Sequence, residues 1–208
     1  MLKIKNLKTN SVHILLCLSF IICLSGCASY NAMALNNLSP EVFLSSSSQS
    51  IAVAAVAKKF TRADCKHYLD RDVMSKGYQP VQLFLQNNSE KMFHFSLNRI
   101  SLPHATPGEV AEKVHTSTVG RAVGYGVGAL FLWPFAIPAV VDGVKSAQAN
   151  DALDKDFFDK AAKDQLLQPF SHLNTLIFVP SHNYQGNFTV TLIDCETNEP
   201  VILEIVAI

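Results

Sequence analysis

The chain has 208 residues, 17 Lys+Arg against 17 Asp+Glu, and 49% hydrophobic residues. That is enough for one domain with a real core, or for one domain plus an appendage. A balanced charge leaves no basic stripe for nucleic acid and no polybasic patch for anionic lipid.

Residues 1–26 have the layout of a secretory leader. Lys3, Lys5 and Lys8 precede any acidic residue, residues 14–24 are apolar, and Leu24-Ser25-Gly26-Cys27 closes the run. The apolar stretch of about eleven residues is short of the roughly 20 that span a bilayer. Cys after Leu-Ser-Gly resembles the lipobox of bacterial lipoproteins. The resemblance implies that 1–26 is a lipoprotein signal peptide and Cys27 the lipidation site. Cys27 would become the mature N-terminus, bearing a diacylglyceryl thioether and an amide-linked acyl chain. Ala28 follows it; in Gram-negative lipoproteins a residue other than Asp there implies sorting to the outer membrane, facing the periplasm. Three acyl chains exceed the two signals that stable anchoring takes.

The three lysines leave with the peptide, so 14 basic groups face 17 acidic ones, a net −3. Cys17 and Cys23 leave as well. Only Cys65 and Cys195 then remain as thiols, in a compartment that permits disulfides. A Cys65–Cys195 bridge and two buried free thiols both fit the sequence.

Residues 27–50 read as a flexible tether, rich in Ser and Asn with Ser at 45–48; a coil of about 20 residues reaches roughly 25 Å. The domain spans 51–208. Residues 51–58 predict a first strand. A short helix is expected after Thr61 or Asp64, with Tyr68, Leu69 and Met74 apolar and Gly77 ending it. Val81, Leu83 and Leu85 alternate with Gln82, Phe84 and Gln86; Asn87-Asn88-Ser89-Glu90 offers a turn; Phe93, Phe95 and Leu97 follow. This pattern predicts a hairpin. Near the C-terminus, 176–179, 188–192 and 201–205 predict three more strands. Together they suggest a mainly β, α+β protein whose body is similar to the immunoglobulin-like antiparallel β-sandwiches of secreted bacterial proteins.

A helical insertion at about 106–168 interrupts that body. Thr106-Pro107-Gly108-Glu109 is a helix start, with Thr as N-cap and Glu as the reciprocal capping-box acid. Asn150 or Asp151 is expected to cap a further helix through Lys163, with Leu153, Phe157, Ala161 and Leu167 facing inward. Between them, Gly120, Gly124 and Gly128 stand at i, i+4 and i+8 with Gly126 alongside, a helix-packing line that resembles glycine-zipper segments of envelope lipoproteins. Residues 122–141 carry no charge and are long enough to span a bilayer, yet Pro134 and Pro138 interrupt them. A glycine-rich helical hairpin accounts for both, with arms 118–133 and about 139–149.

No residue set points to catalysis, a metal or a cofactor. The histidines lack metal-ligand spacing, and Asp151, Asp154, Asp156 and Asp159 lack the Gly and Glu of a calcium loop. They alternate with Lys155, Lys160 and Lys163 as an ion-paired helix surface. Gly124-Tyr125-Gly126-Val127-Gly128 lacks the preceding strand of a dinucleotide site. Asp64, His67, Asp70 and Asp72 read as a charged surface helix. The expectation is a non-enzymatic, lipid-anchored envelope lipoprotein that binds or assembles through its hairpin. Its partners would be the membrane through the N-terminal lipid, and a second copy or another envelope protein, with no nucleic acid. The alternatives are insertion of 120–141 into the bilayer, or an enzyme with a site near residues 62–72.

Overall fold

The computed structural model describes residues 29–39, 48–49, 52–116 and 136–208, with side chains except at 48–49 and 136–143. They belong to two compact units, one formed by Tyr30–His115 with Asp151–Ile208 and the other containing Thr116–Asn150.

The first unit is an antiparallel α+β body with two four-stranded sheets. Strands β1 (Ser48–Gln49), β2 (Val53–Lys59), β3 (Tyr78–Asn87) and β6 (His172–Pro180) form one sheet in the order β1-β2-β3-β6. Strands β4 (Phe93–Phe95), β5 (Gln165–Leu167), β7 (Asn187–Asp194) and β8 (Pro200–Val206) form the other in the order β5-β4-β7-β8. The period-2 alternation turns Val53, Val81, Leu83 and Ile177 of the first sheet into one buried cluster with Phe95, Val190, Leu192 and Leu203 of the second. Each such side chain contributes about 1.5–3 kcal/mol by leaving water.

The three C-terminal strands form where the sequence predicts them: β7 pairs with β8, with Val190 opposite Leu203 and Thr189 opposite Glu204, while β6 belongs to the other sheet. The expected hairpin at 80–97 does not form. β3 pairs with β2 and β6, whereas β4 pairs with β5 and β7. Alternation shows that each strand has an apolar face, but not which strand lies beside it. The intervening turn crosses between the sheets, held by buried Asn87, whose Nδ2 donates to the carbonyls of Lys91 (2.7 Å) and Gln168 (2.9 Å).

Helix α1 (Arg62–Leu69) starts as a capping box: Thr61 accepts from the Asp64 amide while Asp64 accepts from the Thr61 amide. Asp70 ends it in the left-handed region. A 3₁₀ turn, Met74–Lys76, stops at Gly77, whose φ of 89° suits only a residue without Cβ. Helix α2 (Pro107–Val114) has the expected Thr106 cap and Pro107 at its start. Glu109 does not reach back to close a box; it accepts instead from the Tyr78 hydroxyl at 2.5 Å.

Helix α3 (Ala136–Lys160) corrects the expectation of a helix start at Asn150/Asp151. It begins at Ala136, and Pro138 lies in its first turn, where a missing amide costs nothing. Asn150 sits inside it, its Oδ1 accepting from the Thr116 amide at 2.9 Å. Leu153, Phe157 and Ala161 do face inward, while Leu167 lies in β5 within the inter-sheet core. The proposed first hairpin arm, Gly120, Gly124 and Gly128 among it, lies outside the described residues.

Candidate interaction site

Three pieces of chain meet on the outer face of the β3–β6 sheet. Phe60, Cys65, Tyr68 and Leu69 come from the α1 region, Val110, Ala111 and Val114 from α2, and Leu153 and Phe157 from the end of α3. They close over Leu176 and Phe178, the outward residues of β6. Phe157 and Phe178 stack with ring centroids 5.4 Å apart.

The insertion is fastened at both feet. β4 and β5 form a hairpin that residues 96–164 interrupt, with Phe95 opposite Gln165. Asp164 closes its base, accepting from the Leu97 amide (2.8 Å) and the Ser96 hydroxyl (2.7 Å). Those two bonds hold the Asp164 carboxyl below its ordinary range. Just before α2, the Ala105 amide donates to the Phe178 carbonyl at 2.8 Å; just after α3, the Ala162 amide donates to the Leu176 carbonyl at 2.8 Å. Entry and exit thus bond carbonyls two residues apart on β6, covering part of an edge that would otherwise offer unpaired groups.

Residues 30–38 form a strap over the same face, where the sequence predicts part of a free tether. The Asn31 amide donates to Asp70, the Met33 amide to the His67 carbonyl, and Asn36 Nδ2 to the Tyr68 hydroxyl. Gln82 and Asn174, which as a strand pattern belong on a wet face, donate to the Asn36 carbonyl at 2.7 and 3.2 Å. Gln82 is only 2% exposed, and its Nε2 donates to Asn174 Oδ1 (2.7 Å) as well as to the Asn36 carbonyl. Leu38 ends the strap in a small apolar cluster with Val56 and Phe84.

Its other end is a polar lock. The Tyr30 hydroxyl donates to Asp156 at 2.5 Å, and Lys160 Nζ bridges Asp156 and the Tyr68 carbonyl, each at 2.6 Å. Arg71 lies 5.3 Å from the Tyr30 ring centroid. Burial, reinforced by the Asp156 carboxylate, pushes the Tyr30 phenol far above its usual range, so it stays a donor.

The candidate acids near α1 do not converge. Burial alone would raise the Asp64 and Asp70 carboxyls, but hydrogen bonds outweigh it: Lys58 and Thr61 lower Asp64, and Lys66 and the Asn31 amide lower Asp70. Asp72 accepts from the Ser75 amide, and the His67 ring packs edge-on to Tyr68. The acids of α3 fit the ion-paired surface, with Lys155–Asp159 at 2.8 Å and His115–Asp154 at 2.6 Å. Cys65 and Cys195 are both free. Cys65 is buried beneath α1, where desolvation, with Asp72 and Asp64 adding, pushes its thiol up to about 12. Cys195 is exposed in the β7–β8 turn of the other sheet. The bridge that the sequence left open is absent because its partners belong to different layers.

Among the described residues no group of acids, histidines and cysteines is arranged to hold a metal, and no helix is long and apolar enough to cross a membrane. Cys27 lies outside the described residues. No family model, curated protein or solved structure matches the chain. Sequence reasoning missed Tyr30, Asn36, Asp156 and Lys160 as partners. The one available signal was Gln82 and Asn174, amides set among the apolar residues of β3 and β6.

Proposed function

We propose that this protein is a lipid-anchored lipoprotein of the bacterial cell envelope. On this reading it is a non-enzymatic binding or assembly module acting through its glycine-rich segment. Cys27 carries the lipid, and Ala28 favours the outer membrane. The observation that supports an assembly role is the fastening of the insertion: Ala105 and Ala162 bond neighbouring carbonyls of one strand, and Asp164 closes the base. An insertion whose entry and exit in the body, at Ala105 and Ala162, are ordered this way can engage a partner without first ordering its own root. The acids at residues 64–72 are occupied by structural bonds, which favours binding over catalysis.

We also read the two-sheet body as immunoglobulin-like. With the short edge strands β1 and β5 set aside, the first, second and fourth of the remaining strands (β2, β3 and β6) share one sheet. The third and the last two (β4, β7 and β8) share the other. That is the distribution of an immunoglobulin-type sandwich, with the insertion in the connection leading to the extra strand.

Photo-crosslinking residues at Val123, Val127, Phe131 and Val140 in intact cells test the assembly role. Crosslinks to a second copy or another envelope protein are the expected result. Crosslinks mainly to lipid would replace it with bilayer insertion of 120–141. That outcome also predicts that Cys27→Ser protein still partitions into detergent.

A further inference from the structure

The docked strap changes what lipidation at Cys27 would do. A free tether over 27–50 lets the domain stand roughly 25 Å from the bilayer. The strap is instead fixed from Tyr30 onward, by Asp156, Asp70 and the His67 carbonyl. Three links separate Cys27 from Tyr30, and fully extended they span at most about 11 Å. Tyr30 must then lie within that distance of the lipidated residue, and everything fixed to Tyr30 is constrained with it.

We infer that the acylated protein lies with the face formed by Tyr30, Met33 and the C-terminal end of α1 against the lipid headgroup layer. This rests on the lipid-anchor reading above. The occupant is set by chain length: a lipid surface is what the three links lead to. The chemistry of the face suits it. Met33, whose amide bonds the His67 carbonyl of α1, has an apolar side chain that is 56% exposed, and the side chain of Lys66, the preceding residue of α1, is 75% exposed. Asp70, the acid in the same place, is paired with both Lys66 and Arg71, so the three together carry one net positive charge toward anionic headgroups. The strap therefore works as an orienting clamp, and its docking decides which face of the body is presented to the bilayer.

The test uses the mature full chain, extracted from membranes and reconstituted in vesicles of phosphatidylethanolamine and phosphatidylglycerol carrying headgroup nitroxides. A fluorophore is placed at Met33→Cys in a Cys195→Ser background, or at native Cys195 as the control in the other sheet. Intact mass reports acylation of Cys27 independently. The expected result is quenching at least two- to three-fold stronger at position 33 than at Cys195. A 15-residue Gly/Ser insertion between Ser29 and Tyr30 should bring the two to similar levels with acylation unchanged. Equal quenching without the insertion, on acylated protein, would overturn the orientation and leave the lipid anchor standing. Quenching at position 33 that survives the insertion would overturn it too, because chain length would not be its cause. An unacylated Cys27 would remove the anchor itself, and both readings would fall.

Discussion

The two faces of strand β3 are built on different rules. Its inner face, Val81, Leu83 and Leu85, is aliphatic and meets the aliphatic and Phe side chains of the opposite sheet. Its outer face, Tyr78, Gln82 and Phe84, meets helices, a strap and a polar lock drawn from residues as far apart as 30 and 178. The inner face needs only shape and apolarity. The outer one also needs each buried polar atom to find a partner, so it depends on specific residues far away in sequence.

The largest effect should come from cutting the apolar part of the outer layer. Phe157→Ala removes a fully buried ring that stacks on Phe178 and should cost about 3–5 kcal/mol in chemical denaturation. A loss well under that range would mean that α3 is only loosely seated on β6. Next comes the lock. Lys160→Met strands the Tyr68 carbonyl and weakens the hold on Asp156, at about 1–3 kcal/mol. Thr61→Ala removes the α1 cap for about 1 kcal/mol. Tyr30→Phe keeps the ring beside Arg71 but loses the bond to Asp156, about 0.5–1.5 kcal/mol. Its signature should be faster proteolysis within 29–39, with global unfolding barely moved.

A last prediction, read as a pH dependence rather than a size, comes from the sheet away from the strap. Hydrogen bonds from Lys91 and the Glu196 amide hold Asp194 at about 2. A depressed carboxylate stabilises the fold above its unfolded value near 4 and loses that contribution as pH falls through its folded value. The stability gap between wild type and Asp194→Asn should therefore be full at pH 6 and close between about pH 4 and pH 2. A gap that is unchanged at pH 2 would rule out the carboxylate as its source.

The inner face was legible because period-2 alternation states it locally, as in β7 and β8, where every inward residue follows from the pattern. Helix starts were legible for the same reason: Thr61 and Thr106 cap within three residues. Pairing between strands was not. β3 and β4 are adjacent in sequence but belong to different sheets, while β4 and β5 pair across residues 96–164. The strap was hidden for a further reason. Its three asparagines, Asn31, Asn36 and Asn37, read as coil in the sequence, and two of them, Asn36 and Asn37, bond Gln82, Asn174 and Tyr68 once the sheet presents those groups. Asn150 shows the converse: cap chemistry in the sequence, but an interior position in α3 bonded to Thr116.

Hydrogen exchange at the strap tests the central claim most directly. The Asn31 and Met33 amides donate to Asp70 and to the His67 carbonyl. They should exchange at least ten-fold more slowly than an unstructured peptide, and Tyr30→Phe should speed Asn31. Exchange of both at the unstructured rate in the wild type would mean that residues 30–38 are a free tether, and the clamp would not exist.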